Sequence, residues 1–140
     1  MYTWFKGAAA VLEHTAVDWD GVWSLLFAAG KAAFRLSLQL PIGVGAELAY
    51  AAMDICEARD EVAWVHPEVP MTAIAVDLGP LEPAVDLPAT AAVLVRLLDA
   101  ALDRLSLLQE VDPDPDARSL PRQLASKLRS AREAITGLVR

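Results

Sequence analysis

Cysteine is almost missing from this 140-residue chain: Cys56 stands alone, which excludes an intrachain disulfide and a cysteine-built zinc site. Such usage suits a reducing compartment, and a cytoplasmic protein is the expectation. Lysine is scarce as well, with only Lys6, Lys31 and Lys127, and this scarcity beside the alanine richness fits a GC-rich bacterial gene. Aromatic residues are 6% of the chain, and β-branched residues are outnumbered by alanine and leucine, so a β-sheet core is poorly supplied. There is no G-x-S-x-G, no Walker loop and no G-x-G-x-x-G; Gly43-Val44-Gly45 lacks the flanking strand and the lysine of a phosphate cradle. A membrane span is missing too. Residues 22–40 have the length for one but carry Lys31, Arg35 and Gln39, each costly in lipid. Residues 1–16 hold one early positive charge, Lys6, and an apolar run cut short by Glu13 and His14, which reads as a short helix rather than a signal peptide.

What is present points to one all-α domain. Hydrophobic residues make up 55% of the chain and mean hydropathy is +0.35, so much of the chain must be buried. The periodicity predicts four main antiparallel helices, arranged as two helical hairpins, plus a short N-terminal helix. Asp18 or Asp20 caps a central helix running to about Leu40, and Pro41, Gly43 and Gly45 break it. A second helix follows from about Gly45 to Ala63, closing a first hairpin over residues 18–63. Residues 65–88 contain Pro67, Pro70, Pro80, Pro83 and Pro88, which excludes a long helix. Met71, Ile74, Val76, Leu78, Leu81 and Val85 make this proline-rich strap too apolar for a free linker, so it should cover part of the core, with a short extended piece near residues 72–76. The second hairpin spans residues 89–138: a third helix to about Glu110 with Leu94, Leu98 and Leu105 on one face, and a last helix, capped by Ser119 or Asp116, from about Leu120 to Leu138.

Charge is the most uneven feature. Residues 117–140 hold Arg118, Arg122, Lys127, Arg129, Arg132 and Arg140 against Glu133 alone, a net of +5; since the whole chain carries −7, residues 1–116 carry −12. At about 100° per residue, Arg118, Arg122, Arg129, Arg132 and Arg140 fall within an arc of roughly 80°, apart from the leucine face of the same helix. On the second helix Glu47, Asp54, Glu57 and Glu61 share a face. The expected function is a non-catalytic interaction, adaptor or regulatory protein that self-associates, a homodimer above all, through these acidic and basic faces. An acidic body without aromatic interleaving argues against nucleic acid, and consumption of the large apolar residues by a core argues against a membrane surface. Trp19, Trp23 and Phe27 at i, i+4, i+8 are a packing ridge that could also serve as a dimer seam or pocket wall.

An alternative is a small-molecule-binding protein or a small metal-dependent helical enzyme with a pocket under the strap. Met71, Ile74, Asp54, Glu57, His66 and Arg35 would line it, and Arg35, if buried, would pair with Asp54 or Glu57. The metal reading is weak: Asp54, Glu57 and Asp60 or Glu61 have i, i+3 spacing, and Asp99 and Asp103 could face them, but neither His14 nor His66 follows an acid by three residues. Cys56, on an apolar face, reads as a buried inert thiol. No cofactor, metal or catalytic residue is expected.

Overall fold

Asp18 opens the central helix. Its backbone is extended, and its Oδ1 accepts a hydrogen bond from the Gly21 amide at 2.7 Å, satisfying one of the N–H groups that a helix start leaves without an internal partner. The computed structural model describes residues 2–81, 86–111 and 119–139. Among them are six helices and no strand: α1 (Tyr2–His14), α2 (Trp19–Ser37), α3 (Ile42–Val65), the single-turn α4 (Val69–Thr72), α5 (Leu87–Val111) and α6 (Ser119–Gly137). The protein is all-α.

The four long helices enclose one core. α2 packs on α3 and α5, and α6 packs on the same two helices, whereas α2 does not reach α6 and α3 does not reach α5. Leu26, Leu36, Ile55, Leu97, Leu124 and Leu128, one or two from each helix, are fully buried between them. Small residues let α2 and α3 approach closely: Ala28, Ala29, Ala32 and Ala33 are buried, and a Cβ on Gly30 would stand 2.9 Å from Cys56 Sγ.

Two boundaries differ from the sequence reading. α2 stops at Ser37 rather than near Leu40, as expected of a chain approaching Pro41, which disfavours helical backbone in the residue before it. α3 then starts at Ile42, so Gly43 and Gly45 lie inside its first turns and do not break anything. Gly45 is there for proximity, since a Cβ on it would sit 2.5 Å from the Ser37 carbonyl oxygen where the two helix ends cross.

Beyond α3 the chain forms the short α4 around Pro70, in the first turn where proline costs no hydrogen bond, and residues 73–81 carry no regular structure. No extended strand forms at residues 72–76. Val69 and Leu78 are buried and Val76 and Leu81 half-buried, but Met71 and Ile74 are 87% and 58% exposed, and Ile74 borders only a shallow depression beside the start of α2; Val85 lies outside the described residues. Thr72 Oγ1 donates to Asp20 Oδ2 at 2.8 Å, fastening α4 to the start of α2. α1 lies against α5 and α2. Trp4 is fully buried, with Nε1 donating to the Gly79 carbonyl at 2.9 Å, and at the other end of α1 Arg104 of α5 donates to the carbonyls of Thr15 (3.1 Å) and Ala16 (3.2 Å). Gly79 has φ +90°, a backbone that a side chain would strain.

Asp77 makes this region acid-sensitive. The Gly79 amide, and after it the Arg35 guanidinium, hold its carboxyl below the ordinary carboxylate range. A depressed folded-state value contributes stability above the unfolded value of about 4 and loses it as pH falls through the folded one. Asp77→Asn should therefore flatten the fall of Tm below about pH 4 relative to wild type, measured by thermal scans across that range. An unchanged acid limb would place the sensitivity in other carboxylates.

Candidate functional site

The outward face of α3 is built by spacing alone. Glu57, Asp60, Glu61 and Trp64 recur at i, i+3, i+4 and i+7, so they stack on one side over two turns. α6 runs beside them, and between the two helices lies a groove of about 530 Å³ lined also by Val65, Leu120, Gln123 and Lys127. Lys127 spans it, with Nζ 3.1 Å from Glu57 Oε2 and 3.4 Å from Glu61 Oε1. Those contacts, led by the Glu57 hydrogen bond, raise the Lys127 ammonium above its ordinary value, so it stays charged. Leu120, at the start of α6, lines the same groove as Trp64 and Val65 at the end of α3.

Trp64 is the least expected side chain here: it is 87% exposed, at the edge of a carboxylate cluster. A flat π-face beside three acids is a chemical match for a guanidinium or ammonium group. Arg122 and Arg129 project exposed from α6. Arg132 does not: its Nε lies 2.6 Å from Asp99 Oδ1, and a second nitrogen 3.3 Å from Oδ2, so this arginine ties α6 to α5. Of the remaining charged candidates, Glu47 is exposed, Asp54 is half-buried, and Arg118 and Arg140 lie outside the described residues.

The sequence reading missed Lys127, which points away from the arginine arc, as the residue that meets the acids; it also passed over Asp60 as part of the acidic face and Trp64 altogether. The seven-residue step from Glu57 to Trp64 was the signal available. Arg35 pairs with Asp77 at 2.6 Å, not with Asp54 or Glu57, because it is only partly buried and turns outward to residues that follow α4. Trp19 stacks on His66 with ring centroids 4.9 Å apart, and Trp23 on Phe27 at 5.2 Å; Trp23 is buried and the other two are half-buried.

The groups considered for catalysis are held in other roles. Burial raises the Cys56 thiol above its ordinary value, against a smaller opposing effect of Arg59, and keeps it protonated near neutral pH. Asp99, on α5, is taken up by Arg132 of α6, and α5 does not touch α3, so Asp99 and Asp103 do not face Asp54 and Glu57. Among the described residues there is no group of three or more metal-ligating side chains placed to hold an ion, and no helix is long and apolar enough to cross a membrane. The class so defined is an all-α protein with an acidic groove and an arginine-bearing helix side by side. Comparison with protein-family models, curated proteins and solved structures finds no match.

Proposed function

We propose that this is a non-catalytic helical interaction protein that self-associates, with the acidic groove of one copy receiving the exposed arginines of another. We read α2 with α3, and α5 with α6, as two hairpins joined by the segment after α4, so that α3 and α6 present one composite surface to a partner in the cytoplasm. The observation that carries the reading is Trp64, exposed among Glu57, Asp60 and Glu61 beside the helix that bears Arg122 and Arg129. The acids and the arginines lie on different flanks of the α3–α6 pair, so a second copy turned about a two-fold axis would set the arginines of each against the groove of the other. Exposed ion pairs contribute only about 0–1 kcal/mol each, so the arginines steer and set register while the desolvated tryptophan supplies most of the affinity.

Arg122→Glu with Arg129→Glu, and separately Trp64→Ala, should each weaken self-association at least about tenfold, equivalent to about 1.4 kcal/mol, with little change in Tm. Native mass spectrometry and sedimentation velocity read the result. A wild-type monomer at tens of micromolar, or an oligomer indifferent to both variants, would overturn the proposal.

A further inference from the structure

A second depression, separate from the α3–α6 groove, lies between α2 and α3 and has a volume of about 580 Å³. Phe34, Leu38 and Met53 form its apolar wall and are 51%, 71% and 53% exposed, an arrangement that the fold itself does not require. Gly30, lacking a side chain, lets Cys56 Sγ pack against α2 at the floor.

The rim is cationic. Lys31, Arg35 and Arg59 line the groove, and they are three of only six basic residues in the acidic first 116 residues of the chain. Two of them converge: Lys31 Nζ stands 5.4 Å and the Arg59 guanidinium carbon 5.9 Å from the centroid of the Phe27 ring. Both positive charges stand at this edge of the groove, where they favour an anion. The carboxylates nearby are Asp60, 3.0 Å from Arg59, and Asp77, 2.6 Å from Arg35. Asp60 is 69% exposed and accepts from two Arg59 nitrogens, at 3.1 and 3.0 Å, so an anionic head would compete with it for the guanidinium.

We infer that this groove binds a single-chain amphipathic carboxylate, its tail along Phe34, Leu38 and Met53 and its head between Lys31 and Arg59. A trough with one apolar wall and cations at one edge matches that division of polarity, and it disfavours a cationic amphiphile of equal length. The site shares no lining residue with the α3–α6 groove and touches it only through Asp60, the partner of Arg59.

Cys56 is the chain's one thiol and lies on the floor, so its modification rate reports occupancy of this site alone. Dodecanoate, dodecyltrimethylammonium and acetate would each be added below any micelle concentration while a maleimide reacts with Cys56 in the wild-type protein and in Lys31→Glu, with backbone amide shifts of Gly30 and Met53 followed by NMR. Dodecanoate should slow the reaction at least tenfold and shift both amides, the other two additives should do neither, and Lys31→Glu should lose most of the protection. Equal protection by the cationic amphiphile, full protection in Lys31→Glu, or neither protection nor shifts with dodecanoate would each overturn the assignment.

Discussion

Leu98→Ala and Leu124→Ala are each expected to lower stability by about 2–5 kcal/mol. Both side chains are fully buried, Leu98 on α5 and Leu124 on α6, inside a core that α2 and α3 also wall. Truncating either removes the transfer free energy of the lost methyl groups and leaves a void, and four packed helices limit how far neighbours can collapse into it. Urea unfolding should show the loss as a lower midpoint at unchanged slope. Leu107, also on α5 but 45% exposed, is the internal control, and its alanine variant should stay within about 1 kcal/mol. A negligible loss at both buried positions would mean that the faces of α5 and α6 are wrongly assigned.

Trp4→Ala should cost about 3–5 kcal/mol, the range for deleting a large buried aromatic. Two losses combine at this residue. The indole is fully buried beneath α2 and α5, and its Nε1 is the donor to the Gly79 carbonyl 75 positions away. Trp4→Phe separates them: it keeps most of the apolar volume, removes the donor, and should cost about 1–3 kcal/mol as a part-buried carbonyl loses its partner. Hydrogen exchange near Gly79 should rise in both variants. Unchanged exchange there would mean that residues 73–81 are held by Leu78 and the Arg35–Asp77 pair without help from Trp4.

The helices themselves were legible in the residues. Asp18 capped α2 as its side-chain chemistry predicts, and the leucine periodicity of α5 placed that helix within a residue or two of Leu87–Val111. The errors arose where one residue type can serve two purposes. Gly45 reads as a breaker, yet its role is to let α3 pass the Ser37 carbonyl, and only the three-dimensional crossing distinguishes the two. Spacing showed that Glu57 and Glu61 share a face; it could not show that Lys127, rather than the arginine arc, would meet them, because that depends on how α6 is rotated against α3. The α2–α3 groove was the least legible feature. Lys31 and Arg35 are visible as a stripe on α2, but Arg59 joins them only through interhelical packing.

Arg104 ties the end of α1 to a residue 88 positions further along the chain, and Trp4 reaches forward to Gly79. During translation α1 therefore leaves the ribosome long before Gly79 and α5 exist, with the indole of Trp4 and the apolar side chains of Ala8 and Val11 incompletely covered. At about 5–20 residues per second that exposure lasts several seconds at least. α1 is thus made well before α5, one of the helices it docks against, and this stretch of the nascent chain is open to aggregation and to chaperone capture until α5 emerges.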